Sequence, residues 1–157
     1  MSSSALSDSL YIIIGGGGQV GYFLTKALID AGHEVTLIEK DPRRVNELES
    51  SLGESVVRGD ACEVSTLVNA GCERASYLLA VTGEDEDNLV MCQMAKLLGD
   101  ARTIARVNNI ANIDFFRELG ISSVISPTQS ILDTITAELP LHKALRIAGN
   151  VVEGVRL

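Results

Sequence analysis

Residues 10–21 read LYIIIGGGGQVG, a short β-branched run that stops at four consecutive glycines. The apolar residues 10–14 predict a buried strand. From residue 20 onward apolar residues recur at helical spacing, and Gly32 follows as a helix-stop signal. The apolar positions are Val20, Phe23, Leu24, Ala27 and Leu28. The segment therefore predicts a strand, a tight glycine turn and a core-facing helix over residues 20–31.

Strand and helix patterns alternate along the rest of the chain. Further strands are predicted at residues 34–38, 55–57, 77–81, 103–107 and 123–125, and helices at 42–52, around Leu67 to residue 70, and at 84–98, 113–119 and 127–139. Apolar strands alternating with helices predict a parallel sheet covered on both faces. The expected fold class is α/β, a Rossmann-like, doubly wound, six-stranded parallel sheet with helices on both faces. The expected domain spans residues 10–139, after a disordered Ser-rich tail at residues 1–9.

Three of the glycines, Gly16, Gly18 and Gly21, fit the G-x-G-x-x-G spacing of a dinucleotide-binding loop. The first permits the tight turn, the second lets the backbone approach a pyrophosphate, and the third lets helix and strand pack closely. The helix that begins near Gln19 offers free backbone N–H groups and a positive dipole end to phosphates. A flexible turn without a ligand is the alternative interpretation of these glycines.

An acidic residue at the end of the second strand, about 20 residues after the loop, is a second test of the dinucleotide hypothesis. Glu39 directly follows the predicted strand 34–38, and its carboxylate can accept hydrogen bonds from both ribose hydroxyls. A 2′-phosphate would meet like charge there, so NAD is favoured over NADP, although Lys40, Arg43 and Arg44 soften that exclusion. A solvent-facing Glu39 is the alternative.

Composition excludes several classes of function. The net charge of −8 argues against a nucleic-acid partner, because binding a phosphate backbone needs clustered Lys and Arg. No apolar run reaches the roughly 18–20 residues of a membrane-spanning helix, so we expect no direct membrane insertion. Cys62, Cys72 and Cys92 show no paired metal spacing, and they predict small apolar fillers in a reducing cytoplasm and no metal site.

The histidines argue against an enzyme. His33 lies in the turn before the second predicted strand, at the wrong edge of the sheet, and His142 lies in the C-terminal segment. No Ser-His-Asp or Cys-His pairing can be assembled at the carboxyl edge, where a catalytic site would lie. We therefore expect no catalytic residues. The alternative is the cofactor-binding half of an NAD-dependent dehydrogenase.

Six stretches carry a resemblance to a known family: IIIGGGGQVG, HEVTLIEKDP, VVRGDA, LLAVTGEDEDN, IARVNN and ISSVISP. In this order they resemble TrkA-type potassium-transport regulators, which carry the N-terminal domain of regulators of potassium conductance (the RCK or KTN domain). The resemblance spans residues 11–139. It implies a cytoplasmic regulatory subunit or domain that senses NAD(H) and gates a potassium channel or transporter, and that is held at the inner face of the cell membrane by this partner.

The resemblance also implies a cofactor site along the carboxyl ends of the strands. The pyrophosphate loop would consist of Gly16, Gly18, Gln19, Val20 and Gly21. Glu39, with Lys40 beside it, would hold the adenosine ribose, and Asp60 and Ala61 would flank the adenine. The second half of the ligand would lie against Thr82 and Gly83, with Arg106 reaching toward it.

Several of these residues have alternative roles that stay open. Asp60 and Thr82 could each simply cap a helix. The acidic run at residues 84–87 suits the first turn of a helix, because the helix dipole favours carboxylates there. A divalent cation site or a contact with the ligand ribose is the functional alternative for this run. Arg106 could merely pair with one of these acids.

Two departures from the family bear on the ligand and on the extent of the domain. Relatives that prefer ATP or ADP carry an arginine inside the glycine loop, where this chain has the neutral Gln19. NAD(H) is therefore expected, and ADP and ATP stay open. Relatives often continue into a C-terminal ligand-binding domain, so residues 140–157 are expected to be a linker toward a missing or separate domain.

The last predicted helix bears on assembly. Its apolar stripe comprises Ile131, Leu132, Ile135 and Leu139. Only a short strand precedes this helix, and in relatives it crosses to a neighbouring subunit, so we expect a homodimer or a higher ring assembly. An ordinary core-facing helix is the alternative.

Overall fold

Six parallel strands form one sheet in the computed structural model, which describes residues 8–140. The strand order is β3-β2-β1-β4-β5-β6, with β1 at Tyr11–Gly15, β2 at Glu34–Glu39, β3 at Val56–Arg58, β4 at Tyr77–Ala80, β5 at Arg102–Arg106 and β6 at Ser123–Ile125. The order reverses between β1 and β4, and ligands of doubly wound sheets bind at that switch point. The predicted fold class is confirmed. Residues 1–7 of the predicted tail and 141–157 of the predicted linker lie outside the described residues.

Helices cover both faces of the sheet. They are α1 (Gln19–Asp30), α2 (Pro42–Leu52), α3 (Val64–Asn69), α4 (Asp85–Leu98), α5 (Ile113–Glu118) and α6 (Pro127–Glu138). On one face Leu48 of α2 packs in a cluster with Ile14 of β1. On the other face Met91 of α4 and Phe116 of α5 share a cluster with Ile13. Neighbouring residues of β1 thus serve opposite cores, as the alternation of side chains along a strand requires.

The starts of α2 and α6 are fixed by local sequence. Asp41 accepts a hydrogen bond from the Arg43 backbone N–H (3.0 Å), and Ser126 accepts one from the Gln129 N–H (3.1 Å). In both helices a proline occupies the first turn, where its missing N–H costs nothing. Both predicted helix starts are confirmed.

α1 presents only part of its predicted apolar face to the core, where Leu24 and Leu28 are half-buried and pack. Its buried residues are Gly21 and Thr25, whereas Val20 is 45% exposed and Phe23 is 64% exposed. The Thr25 hydroxyl donates to the Gly21 carbonyl within the helix (2.7 Å). Small residues on the inner face let the helix approach the strands closely, and the predicted apolar residues Val20 and Phe23 are left toward solvent.

α6 has no buried residue. Ile131, Ile135 and the C-terminal neighbour Leu139 are exposed by 58%, 51% and 47%. The alternative of a core-facing last helix is therefore wrong for the described part of the chain. No helix within residues 8–140 combines the length and the apolar character that are needed to span a membrane.

The start of α1 lies directly against the glycine turn. A Cβ atom added to Gly21 would lie 1.9 Å from the Gly16 carbonyl oxygen. Gly16 itself has φ 111°, a backbone conformation that strains L side chains. Gly18 has φ −69°, and a Cβ atom there would meet nothing within 4 Å. The fold therefore requires glycine at the first and third motif positions but not at the second.

We expect Gly21→Ala to lower the free energy of unfolding by about 1–3 kcal/mol, the usual cost of overpacking a filled site. Gly18→Ala is the matched control and should change it by less than about 1 kcal/mol, because the poorer helix cap is offset by the lower entropy of the unfolded chain. Urea unfolding followed by circular dichroism measures both values. Equal losses in the two variants would contradict the packing role of Gly21.

Candidate functional site

A cavity of about 290 Å³ opens at the carboxyl ends of the central strands. Among the predicted site residues, those that line it are Gly16, Gly18, Glu39, Lys40, Asp60, Ala61, Thr82, Gly83 and Arg106. Gln19, Val20 and Gly21 do not line it, because Gln19 and Val20 are exposed at the start of α1 and Gly21 is buried against the turn. The lining also includes Gly17, Ile38, Gly59, Cys62, Val81, Glu84, Asp87 and Met91.

The carboxylate of Glu39 joins the end of β2 to the glycine turn. One oxygen accepts a hydrogen bond from the Gly17 backbone N–H (2.7 Å), and the other accepts one from the Asp41 N–H (3.0 Å). Each oxygen of an ionised carboxylate has a second acceptor position. Glu39 can thus hold the loop and still accept hydrogen bonds from a ligand.

Lys40 reaches from the end of β2 to α4. Its Nζ lies 3.5 Å from a carboxylate oxygen of Asp87. The negative charges of Asp87 and Asp60 raise the pKa of Lys40. Because its charge is already matched by Asp87, Lys40 is not a free cation for a ligand phosphate.

Asp60 caps a turn ahead of α3. Its side chain accepts a hydrogen bond from the Cys62 backbone N–H (2.9 Å). α3 begins at Val64, and its capping position is occupied by Glu63. The alternative that Asp60 caps this helix is therefore wrong in position, because Asp60 caps a turn that lies before it. The capped turn presents Asp60 and Ala61 to the cavity.

Two of the three cysteines are the buried apolar fillers that the sequence predicted, namely Cys72 and Cys92. Cys62 is half-buried and lines the cavity. Burial, together with the charges of Asp87 and Asp60, raises the pKa of the Cys62 thiol to about 11. The thiol is therefore protonated at neutral pH and is a poor nucleophile.

Asn88 of α4 links the ends of β4 and β5, a role that no pattern in the sequence indicated. Its side chain is completely buried. Its oxygen accepts from the Thr82 backbone N–H (2.9 Å) and hydroxyl (2.7 Å), while its amide nitrogen donates to the carbonyls of Thr82 (3.0 Å) and Arg106 (2.8 Å). The Thr82 hydroxyl also accepts from the Glu84 N–H (3.2 Å), which caps a turn ahead of α4, whereas the capping position of α4 itself is Glu84. The alternative that Thr82 caps the following helix is therefore wrong in position.

Asp85 anchors the segment that follows β5. It is 7% exposed, and its two oxygens accept from the backbone N–H groups of Asn108 (2.6 Å) and Asn109 (3.0 Å). They also accept from the side-chain amides of Asn108 (3.1 Å) and Asn112 (2.8 Å). The helix dipole alone therefore does not account for Asp85, because its carboxylate is buried and accepts four hydrogen bonds from residues 108–112.

Arg106 does not pair with the acidic run, contrary to the alternative left open for it. Its Nε donates to the side-chain oxygen of Asn108 (2.8 Å). The physical reason is that the acceptor positions of Asp85 face the 108–112 segment and are filled by it. Arg106 lines the cavity with no carboxylate within ion-pair distance among the described residues.

The hydrogen bonds to Asp85 also lower the pKa of its carboxyl group. Burial raises the pKa of Asp85, but the N–H groups of Asn108 and Asn109 and the side-chain amides of Asn112 and Asn108 together outweigh burial and lower the pKa below its ordinary value. The stabilisation that comes from ionised Asp85 is therefore complete above the unfolded-state pKa. It is lost as the pH falls through the lower folded-state value.

His33 and the acidic residues supply no further chemistry. His33 Nδ1 accepts a hydrogen bond from the Leu10 backbone N–H (3.2 Å), at the edge of the sheet opposite to the cavity. Within residues 8–140 no group of three or more His, Cys, Asp or Glu side chains is placed to hold a metal ion.

Comparison with protein families agrees with this geometry. The TrkA-N domain model matches residues 12–127, which includes β2 to β6, all of β1 but its first residue, and the whole cavity lining. The chain belongs to the TrkA-N domain family. One relative is the Trk system potassium uptake protein TrkA homolog of Methanothermobacter thermautotrophicus, which is 36% identical over 121 residues. The match covers 77% of this chain and 56% of the relative, so the TrkA-N chain spans about half the length of that protein.

Solved structures share the fold of this TrkA-N domain. The TrkA-N domain of the inner membrane protein ybaL from Escherichia coli superposes with a TM-score of 0.75 at 23% identity, covering 85% of this chain and 99% of that one. The GsuK channel bound to NAD superposes with a TM-score of 0.71 at 22% identity, covering 84% of this chain and 24% of the channel. At these sequence identities, the similarity shows a shared fold and nothing further.

We expect Asp85→Asn to lower the free energy of unfolding by about 1.5–3 kcal/mol at pH 7. The NH₂ group of the new amide would face N–H groups that now donate to a carboxylate oxygen, so those hydrogen bonds would be lost. Glu86→Gln, one residue along the same helix turn and exposed, is the matched control. It should cost no more than about 1 kcal/mol, the scale of a dipole interaction. Chemical unfolding measures both.

The pH dependence gives a second check on Asp85. Since the folded-state pKa of Asp85 lies below its unfolded value, the difference between wild type and Asp85→Asn should narrow as the pH falls below about 3.9. A difference that does not depend on pH, or equal losses in Asp85→Asn and Glu86→Gln, would contradict the role of the ionised carboxylate.

Proposed function

We propose that the cavity binds an adenine dinucleotide, NAD or NADH. The observation that carries the proposal is the open space at Gly18, beside a cavity that Glu39 lines. The fold does not need glycine at position 18, so the requirement comes from a group that approaches the backbone there. A pyrophosphate is that group in dinucleotide-binding loops. The GsuK channel, which is bound to NAD in a structure of similar fold, supports the proposal.

On this proposal the two halves of the ligand lie on either side of β1. The ribose next to adenine takes the remaining acceptor positions of Glu39, and adenine lies against Asp60 and Ala61. The pyrophosphate meets Gly16, Gly18 and the first N–H groups of α1, to which Gln19 and Val20 contribute. The second half of the ligand extends toward Thr82, Gly83 and Arg106.

The charge of the cavity favours a dinucleotide over ATP. Four carboxylates line it, those of Glu39, Asp60, Glu84 and Asp87, against the two cations Lys40 and Arg106. Lys40 is already paired with Asp87. These carboxylates repel the phosphates of a ligand, and like charges repel strongly where the dielectric constant is low. The nucleotide with the least negative charge is therefore favoured. NAD carries less negative charge than ADP or ATP.

We propose further that the domain regulates a potassium channel or transporter. Its relative is a potassium uptake protein, and this chain spans 56% of that relative's length. Ligand occupancy would then be the signal that the domain passes on, from the cytoplasmic side of the cell membrane, where its membrane partner holds it.

A dehydrogenase is the rival function. It needs a group at the cavity that moves a proton. Among the described residues, His33 is engaged at the opposite edge of the sheet, and the cavity is lined by carboxylates, by Lys40 paired with Asp87 and by a thiol that is a poor nucleophile at neutral pH. These observations favour a sensor without catalysis. Turnover of an alcohol or hydroxy acid, detected as a change in NADH absorbance, would favour the rival.

The exposed apolar side of α6 supports assembly into a homodimer or a larger ring. Ile131 and Ile135 lie one turn apart on this helix and are both more than half exposed. Exposed apolar residues in a contiguous stripe mark interaction surfaces. A second copy of α6 offers a self-complementary apolar surface, as a two-fold interface requires.

We expect NAD to stabilise the chain. At about 100 times its dissociation constant it should add about 2.7 kcal/mol, visible as a rise in Tm. Glu39→Ala should weaken NAD binding by about 1.5–3 kcal/mol, the scale of a hydrogen bond to a charged group. Glu49→Ala removes an exposed carboxylate of α2 outside the cavity and should leave affinity unchanged. No thermal response to millimolar NAD, NADH, ADP or ATP would refute the nucleotide site.

We expect light scattering of the 157-residue chain at tens of micromolar to give at least a dimer. Ile135→Asp should dissociate it, because an unpaired charge would be buried in an apolar interface. Leu97→Asp is the matched control, since Leu97 is an exposed apolar residue of α4 (87% exposed) and lies away from α6. A monomeric wild type, or an Ile135→Asp variant of unchanged mass, would contradict the proposed interface.

A further inference from the structure

Both backbone polar groups of Gly17 are held by side chains of the β2–α2 segment. The Gly17 N–H donates to the carboxylate of Glu39 (2.7 Å), and the Gly17 carbonyl accepts from the Nε of Arg44 (2.6 Å). Gly17 is buried, so each of these groups needs such a partner. The Gly17 N–H belongs to the peptide unit that joins residues 16 and 17, and the Gly17 carbonyl belongs to the unit that joins residues 17 and 18. Glu39 therefore holds the first of these peptide units and Arg44 holds the second.

The bond from Arg44 sets the direction of a neighbouring N–H group. The Gly17 carbonyl and the Gly18 N–H belong to the same peptide unit, and in a planar trans peptide these two groups point in opposite directions. Arg44 draws the carbonyl toward α2. The Gly18 N–H is thereby turned away from α2, at the residue where the backbone lines the cavity.

We propose that Arg44 is a positioning residue for the nucleotide: it holds the peptide between Gly17 and Gly18 so that the Gly18 N–H donates to the pyrophosphate. The inference rests on the proposed nucleotide site. The four glycines make such a device necessary, because glycine backbones populate many conformations about equally and a reversed peptide costs them little. The reversed peptide would present a carbonyl oxygen to the anion.

The contacts of Arg44 favour this role over the others open to it. Its Nη1 is held by Glu47 of the same helix (3.0 Å), and its Nε is committed to Gly17. The first contact holds the guanidinium against α2 and the second directs it to the glycine turn, so two of its three nitrogens are engaged away from a 2′-phosphate. An ion pair with the 65% exposed Glu47 alone would be worth little. The bond to the buried carbonyl is therefore the functional contact.

The test compares ligands with and without a pyrophosphate on the full chain. NAD and ADP carry one, and adenosine carries only the base and ribose. Arg44→Ala should weaken NAD and ADP about tenfold or more, the scale of a charged hydrogen bond. Its affinity for adenosine should change less than about twofold. Calorimetry measures NAD and ADP, and an NMR titration measures adenosine.

Three variants serve as controls. Arg43→Ala removes the same charge from the neighbouring exposed residue and should bind all three ligands like the wild type. Glu47→Ala removes the ion pair but keeps the bond from Arg44 to Gly17, and it should also bind normally. Arg44→Lys retains a cationic donor without the guanidinium fork and should recover part of the affinity for NAD and ADP. It also replaces Arg44→Ala if the latter fails to fold in ligand-free unfolding experiments.

The outcomes separate this inference from the proposed function. If the wild type binds neither NAD nor ADP, both the nucleotide site and the role of Arg44 are wrong. If the wild type binds them and the Arg44 variants bind equally well, only the role of Arg44 is wrong. Equal losses for adenosine and ADP would show a general structural role and would also overturn the inference. A loss confined to NAD and ADP supports it.

Discussion

The contact between Gly21 and the Gly16 carbonyl sets the distance between α1 and the sheet, and the rest of the site depends on that distance. With any larger residue at position 21 the helix would have to move outward. The close approach buries Gly21 and Thr25, places the first N–H groups of α1 at the end of β1, and leaves Phe23 in solvent. One steric constraint thus positions the N-terminal end of the helix and also determines its outer face.

The carboxyl edge of the sheet is built by side chains that bond to backbone groups of other segments. Glu39 joins β2 to the glycine turn, Asn88 joins β4 to β5, and Asp85 joins α4 to residues 108–112. Each replaces water as the partner of a buried polar group, which would otherwise cost about 1–3 kcal/mol. The edge is therefore ordered by contacts within the chain, and less conformational entropy of the protein is lost when a ligand binds to an edge that is already ordered.

The features that sequence could predict are those decided within a few residues. The strand-glycine-helix order and the proline-marked starts of α2 and α6 depend on neighbours in the chain. The links that Asp85 and Asn88 make to β5 and the segment after it could not be assigned, because those partners lie 18 to 27 residues away and become neighbours only when β5 pairs with β4. The inner face of α1 was predicted only in part. Gly21 packs closely as the motif predicted, and Leu24 and Leu28 lie against the core. Apolar spacing also counted Val20 and Phe23, which are exposed, because it weighs large residues and not the closeness of packing.

The hydrogen bonds at the cavity also bear on how a bound ligand would be sensed. A ligand biases an assembly only if it binds one arrangement of the subunits better than another. On the proposed function, the adenosine side would be bound at Glu39, whose carboxylate joins β2 to the glycine turn and to the start of α2. The other side ends at Arg106, whose carbonyl is held by Asn88 and whose side chain bonds to Asn108. Residues 108–112 lead directly into α5, and β6 and α6 follow. A group that engages Arg106 therefore competes with Asn108 next to the elements that lead to α6, whereas a group bound only at Glu39 does not. On the proposed function, differential affinity would therefore arise from the half of the ligand that lies beyond the pyrophosphate.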